Sequence, residues 1–329
     1  LTMNQTTHYN DSDIISAISG KQRLYKLTGF FGAIFILVIP FVLVAGLLMF
    51  IDGRNYAPAI LIPGILLIPI TILINKSNKK LKNTLKDMLG EYIIKDVLAE
   101  KIDIDEYSPS KFINTNFIKN CTILPNYDRV NGSDYISGKY KGINFTYCDL
   151  LLERKVERTD DDGHKSSKYI TAFQGPLLLL NLGRSIDCYV RIRERKNTRK
   201  AKGVLTSVFN GAADLLGIKH DTDIIETENE AFNNQFEVKT NNDEMAFYIL
   251  TPQFMESIMR ADEVAEGYTN IEFKNSDVTI TLNNGKDAFE VKKTISSRRR
   301  LAKCRENFRG ELNSILKIFD EILTKENLF

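Results

Sequence analysis

The stretch LTGFFGAIFILVIPFVLVAGLLMFI, residues 27–51, contains no charged side chain. After Asp52, Gly53 and Arg54, a second uncharged run, NYAPAILIPGILLIPITILI, fills residues 55–74. As helices, these runs would measure about 37 and about 30 Å, which is enough to cross the hydrocarbon core of a bilayer. Because the link between them is so short, the sequence predicts two antiparallel transmembrane helices, a membrane hairpin.

Both runs also lack histidine, so neither predicted span contains Asp, Glu, Lys, Arg or His. Transporters and proton pathways carry such groups within the membrane, so the pattern favours an anchor. Pro40, Pro58, Pro63 and Pro69 leave open a second interpretation, a broken helix that lines a site. A cleaved signal peptide is disfavoured because the first run is too long and the second follows at once. Two buried core helices are disfavoured because soluble cores rarely supply successive uncharged runs.

Charges that flank the hairpin predict its orientation. The outer link carries one Arg and one Asp, whereas only cations adjoin the other two ends. By the positive-inside rule, both termini and the main domain are expected in the cytoplasm. Frequent Lys, Asn and Ile favour an AT-rich bacterial genome, so the expected location is a bacterial cell membrane. The flanking cations are Lys21, Arg23 and Lys26, followed by Lys76, Lys79, Lys80, Lys82 and Lys86.

The rest of the 329-residue chain has the apolar spacing of a folded domain. We expect a cytosolic tail over 1–26, a stalk helix over 76–100 and an α+β domain over 101–329. This domain should contain a mainly antiparallel sheet with flanking helices. One interpretation divides it into two sub-halves, 101–190 and 224–329, joined by a basic amphipathic segment. Predicted strands include 135–140, 143–147, 150–158, 169–182, 245–250, 270–274, 278–282 and 288–291, and a closing helix is predicted over about 297–324.

Three segments of the second half resemble one bacterial membrane-protein family. They are EAFNNQFEV at 230–238, AFYILTPQFME at 246–256 and NGKDAFE at 284–290. The family is known only as domain of unknown function 3137, and the likeness covers most of residues 76–295. The resemblance implies membrane localisation and the extent of the domain. It implies no activity, since no catalytic residues are established for the family.

The sequence predicts no catalytic, cofactor-binding or metal-binding residues. His8, His164 and His220 do not share one helix face at the spacing of metal ligands. The run Asp160–Asp162 lacks the rest of the calcium-loop pattern and is interpreted as a solvated hairpin tip. The four cysteines form no C-x-x-C pair, which favours reduced thiols in the cytosol.

One segment, residues 191–216, combines a dense run of cations with an amphipathic pattern. On a protein held at a membrane, this combination predicts contact with anionic lipid. The alternative is that the apolar stripe packs on the sheet and the cations form a solvated loop. Nucleic acid is disfavoured, because the net charge is only +2 and no aromatics interleave with the cations. The predicted contact residues are Arg191, Arg193, Arg195, Lys196, Arg199, Lys200, Lys202, Val204, Leu205, Phe209 and Leu216.

Taken together, these patterns predict a membrane-anchored cytosolic binding or scaffold module without an evident catalytic site. Its expected partners are the lipid bilayer and another protein. Two alternatives stay open. One is an enzyme whose site is assembled from scattered polar residues, and the other is an accessory subunit of a membrane transport complex.

Overall fold

The computed structural model describes residues 10–53, 55, 57–159, 165–195, 223–265, 267–291 and 294–322, except for the side chains at 184–187. The chain divides into two compact units. The first contains Leu1–Ile94 and Val291–Arg305, and the second contains Lys95–Glu290 and Glu306–Phe329. The predicted α+β class is confirmed: two long apolar helices precede an antiparallel sheet with flanking helices. The predicted boundaries of the spans, stalk and soluble domain stay predictions.

Two long helices dominate the first unit. Helix α1 spans Asp11–Ile51 and helix α2 spans Ala57–Leu89, and a π-helical turn follows over Gly90–Ile94. Residues 27–51 of the first predicted apolar run and residues 57–74 of the second are therefore helical. The first helix also includes the described part of the expected tail back to Asp11, where the Asn10 side chain caps it by accepting a hydrogen bond from the Ser12 N–H at 3.3 Å.

Glycines let α1 and α2 approach each other closely. A Cβ at Gly46 would lie 2.7 Å from Leu61 Cδ2, and a Cβ at Gly64 would lie 3.1 Å from Leu43 Cδ2. Buried positions in the two apolar runs include Gly32, Gly46, Ala57, Gly64 and Thr71, so small side chains form much of this contact.

The second unit is built on one seven-stranded antiparallel sheet of order β1-β2-β3-β4-β6-β5, with β7 paired to β4. Predicted strands 143–147 and 150–158 join into one strand, β3. Lys141 and Gly142, with φ values of 51° and 84°, form the turn before it. The strands are β1 (Asp103–Ser108), β2 (Arg129–Tyr140), β3 (Ile143–Thr159), β4 (Lys165–Glu194), β5 (Asp223–Ile225), β6 (Phe236–Thr240) and β7 (Tyr268–Asn283).

Strand β7 folds back on itself at Asn275, where φ is 56°. Asn270 Nδ2 consequently lies 3.5 Å from Thr281 Oγ1. Its two arms correspond to the predicted strands 270–274 and 278–282. The third predicted strand, 288–291, is wrong. The Ala288 and Phe289 N–H groups donate to carboxylates instead of to a neighbouring strand.

Short helices surround the sheet, and one of them corrects a prediction. Residues 245–250, predicted as a strand, lie in helix α6 (Asp243–Ile249) and its C-cap. Local capping decides this, since the Asn242 side chain accepts a hydrogen bond from the Met245 N–H at 3.1 Å. The closing helix is confirmed as α8 (Arg298–Ile322). The others are α3 (Lys95–Ala99), α4 (Thr115–Asn120), α5 (Glu230–Gln235) and α7 (Pro252–Ala265).

Apolar side chains are buried on both faces of the sheet. On one face, Leu150 and Leu152 join a core cluster with Ile118 of α4. On the other, Phe254 of α7 packs edge-to-face on Phe273, with ring centres 5.9 Å apart. Helix α8 covers that second face through Phe319, which contacts Phe145 and Tyr140. Alternation along β3 explains this, because successive side chains point to opposite faces.

Candidate functional site

The structure describes the first three cations of the predicted lipid-contact segment. Arg191 and Arg193 belong to β4, and Arg193 Nη2 donates to the Thr122 carbonyl at 3.3 Å. The Arg195 Nε donates to the carbonyls of Asn233, at 2.9 Å, and Phe236, at 3.1 Å. Arg191 Nη2 lies 3.9 Å from Glu237 Oε1 on the neighbouring strand. These contacts give all three side chains a role within the fold. The other predicted contact residues, Lys196, Arg199, Lys200, Lys202, Val204, Leu205, Phe209 and Leu216, lie outside the described residues, and their contact with lipid stays a prediction.

A polar group links Thr122, two residues after the end of α4, to strands β4 and β7. The Thr122 hydroxyl contacts both the Tyr189 hydroxyl and the Glu272 carboxylate. Burial, with a smaller contribution from Glu272, raises the pKa of Cys121 to about 12. A thiol in that environment stays protonated and unreactive at neutral pH. This group therefore holds the loop against the sheet and offers no nucleophile.

A second polar group is a cluster of three carboxylates, which we call the acid cluster. It consists of Asp134, Asp149 and Asp287, each with an oxygen within 4.8 Å of the other two. Asp134 lies at a β-bulge in β2, with φ of 56°, and Asp149 lies in β3. Asp287 follows β7, after the turn that contains Gly285. A bulge, a strand and a loop thus bring these residues together.

Hydrogen-bond donors surround the acid cluster. Tyr107 OH donates to Asp134 Oδ1 at 2.9 Å, and Tyr147 OH lies 3.1 Å from both Asp149 oxygens. The Ala288 backbone N–H donates to Asp149 Oδ2 at 3.1 Å. Ser133 Oγ lies 3.2 Å from Asp287 Oδ1. Two tyrosines, a serine and a backbone amide therefore fix these carboxylates in place.

Burial dominates the electrostatics of the acid cluster. Asp134 and Asp149 are 4% and 3% exposed. Burial, followed by the charges of Asp134 and Asp287, raises the pKa of Asp149 well above its ordinary value. Burial and the charge of Asp149 also raise the pKa of the Tyr147 hydroxyl. The cluster therefore favours an extra proton, because adjacent buried carboxylates repel each other when ionised.

A group of this kind has two chemical uses. The carboxylates can share a proton, or their oxygens can hold a hard divalent cation such as Mg²⁺ or Ca²⁺. Sequence reasoning did not find the cluster, because 15 residues separate Asp134 from Asp149 and 138 more separate Asp149 from Asp287. No short motif joins them. The Asn-Gly pair at 284–285 is a turn-forming sequence close to Asp287, but it indicates no ligand.

A family model described as "Protein of unknown function (DUF3137)" matches residues 171–323. The match confirms the resemblance predicted from the three sequence segments. The matched region runs from within β4 to the end of α8, so it includes Asp287 but neither Asp134 nor Asp149.

Other comparisons add little about this site. The chain is similar to the crystal structure of the mycobacterial trehalose monomycolate transport factor A at 9% identity and a TM-score of 0.30. That alignment covers 68% of this chain and 90% of the other. The comparison with curated proteins found no match.

Proposed function

We propose that this chain is a two-span membrane anchor that holds a binding module in the cytosol. The observation that carries the proposal is the apolar surface of α1 and α2. Among the described residues, large apolar side chains are exposed along both helices, and Phe41, Ile51 and Leu73 are 77%, 71% and 65% exposed. Water would penalise so continuous an apolar surface, whereas lipid tails would cover it without cost.

Contact between the two helices also supports insertion. Helices in lipid gain little from burying large apolar side chains against each other, so their contacts favour small residues. Gly46 and Gly64 lie at such a contact, while Leu and Phe side chains point outward. A soluble hairpin would show the reverse arrangement, with large side chains inside.

Orientation follows from the cations beside the spans. Lys26 directly precedes the first uncharged run, and Lys76 follows the second after one residue. The link that joins the helices is nearly neutral. These charges support placing the link on the outer side of the membrane and the second unit in the cytosol.

A binding role for the second unit is supported by two adjacent exposed aromatics. Phe247 and Tyr248 on α6 are 45% and 61% exposed. Aromatic side chains are enriched at the centres of protein interfaces, so the proposed partner is another protein.

Two measurements test the proposal. A cysteine placed at Gly53 should react with a membrane-impermeant thiol reagent in intact cells, and the protein should resist alkaline extraction from membranes. Labelling only by permeant reagents, or release into the alkaline supernatant, would refute the anchor.

A photo-crosslinking residue at position 248 tests the binding role in native membranes. It should yield a discrete protein adduct, and the same residue at the exposed position 139 serves as the matched control. Equal adducts from both positions would refute a specific docking surface on α6.

A further inference from the structure

The first unit brings the beginning of α8 to the start of the predicted first span, next to Lys26. Lys26 Nζ donates to Thr294 Oγ1 at 2.7 Å, and the Ile295 N–H donates to Gln22 Oε1 at 2.7 Å. Further along, Arg305 Nη1 pairs with Asp11 Oδ1 at 2.8 Å. Residues 294–305 therefore run antiparallel to α1, and Thr294 lies level with its last cation before the span.

Three consecutive arginines open α8 at this place. Arg298, Arg299 and Arg300 are all exposed. The Arg300 guanidinium reaches back to the Thr294 carbonyl, at 3.3 Å, and to Ser296 Oγ, at 2.8 Å. Helical side chains lean toward the amino end of their helix. In α8 this direction leads toward Thr294, and so toward the membrane boundary.

Cations of α2 lie at the same level. Thr28 Oγ1 and Asn78 Oδ1 are 2.9 Å apart, which sets the register of the two helices just beyond Lys26. Lys76 and Lys79 flank Asn78, and both are exposed. We call the following six residues the boundary cluster: Lys26, Lys76, Lys79, Arg298, Arg299 and Arg300.

No acidic residue lies in the segments that form this cluster. Residues 14–26, 75–86 and 291–305 contain many Lys and Arg but neither Asp nor Glu. Internal ion pairs within these segments therefore cannot neutralise the cluster. A surface that carries only positive charge attracts anionic ligands.

The position of Arg298, Arg299 and Arg300 in the first turn of α8 does not stabilise that helix. The first turn of a helix carries a partial positive charge, which disfavours cations there. Helix α8 has no acidic residue in its first turn and has Arg298, Arg299 and Arg300 instead. Three exposed cations thus occupy positions where they oppose the stability of their own helix.

We propose that the boundary cluster binds anionic phospholipid headgroups of the cytosolic leaflet. Headgroup phosphates lie at the depth where each span ends, and each nearby Lys or Arg contributes to such binding. The contact would fasten the beginning of α8 to the bilayer that holds α1 and α2. This inference rests on the proposed membrane anchor, and it concerns a different surface from residues 191–216.

The test uses the full chain purified in a neutral detergent. Short-chain phosphatidylglycerol and phosphatidylcholine are titrated separately, and bound lipid is counted by native mass spectrometry. The parent should prefer phosphatidylglycerol, and R298Q/R299Q should weaken that binding about thirtyfold at low salt. Binding should also weaken as salt rises, since screening acts over about 8 Å at physiological ionic strength. K139Q/K317Q, which removes two exposed cations of the second unit, should bind like the parent.

Equal binding of the two lipids by the parent, or unchanged binding by R298Q/R299Q, would overturn the proposal. Full competition by inorganic phosphate would assign the cluster to free phosphate and would also overturn it. R298Q/R299Q should melt at or slightly above the temperature of the parent, since it removes two cations from the first turn of α8. If that variant unfolds, R298Q and R299Q tested singly should each bind about fivefold more weakly. Failure of the anchor itself shows separately, as release of the parent during alkaline extraction.

Discussion

Replacing Asp149 with Asn should stabilise the protein at neutral pH and weaken the pH dependence of its unfolding. An Asn oxygen at this position can still accept the Ala288 N–H and the Tyr147 hydroxyl, which now bind the Asp149 carboxylate. The substitution removes the ionisable group, and with it the repulsion from Asp134 and Asp287. The exposed Asp105→Asn is the matched control, since Asp105 lies outside the acid cluster.

Magnitudes follow from the geometry of the cluster. Two ionised carboxylates 4.8 Å apart repel each other by about 3.5 kcal/mol at an effective dielectric of about 20. Burial and this repulsion raise the folded pKa of Asp149, whereas an unfolded Asp titrates near about 3.9. Between these two pKa values the folded state holds a proton that the unfolded state has lost, so the contribution of Asp149 to stability is greatest in acid and is lost as the pH rises through the folded pKa. The free energy of unfolding falls by up to about 1.4 kcal/mol per pH unit as the pH rises toward the folded pKa.

Urea unfolding of the full chain in detergent, measured from pH 5 to pH 8, provides the assay. The free energy of unfolding of the parent and of D105N should fall as the pH rises. For D149N the slope should be shallower by up to about 1.4 kcal/mol per pH unit, which is the contribution of one proton. Identical slopes for parent and D149N, or a large loss of stability in D149N at every pH, would refute the reasoning. Added Mg²⁺ or Ca²⁺ could also raise the urea concentration at the unfolding midpoint of the parent and leave that of D149N unchanged. That result would show that a cation, and not a proton, neutralises the acid cluster.

Three further predictions concern other parts of the chain. Gly46→Leu should lower the free energy of unfolding of the detergent-solubilised protein by about 1–3 kcal/mol, because it overpacks the contact between the two helices. Gly20→Leu, which adds a side chain in open space, is the control and should leave it unchanged. Equal effects of the two changes would contradict the close contact. Phe319→Ala should cost about 3–5 kcal/mol in urea unfolding, because the ring is 1% exposed, and a loss below 1 kcal/mol would contradict its place in the core. The purified second unit should bind anionic liposomes and should not bind neutral ones. Replacing Lys196, Arg199 and Lys200 with Gln should abolish that binding. Absence of binding by the parent would refute the lipid hypothesis for residues 191–216.

Sequence reasoning succeeded where the physical signal is local and periodic. The two uncharged runs and the closing helix α8 were predictable, because helix formation depends on neighbouring residues. It failed at residues 245–250. There the apolar run is typical of a strand, but the Asn242 cap, followed by two acidic residues, favours a helix.

The sequence by itself determined the apolar spans, their flanking charges, the α+β class and the family resemblance. Only the tertiary structure brought Asp134, Asp149 and Asp287 within 4.8 Å of one another, because a bulge, a strand and a loop far apart in the chain converge there. Only the tertiary structure set Thr294 beside Lys26, 268 residues away, and so joined the arginines of α8 to the cations of the spans. Contacts of this kind depend on packing between distant segments, and the local pattern of residues does not encode such packing.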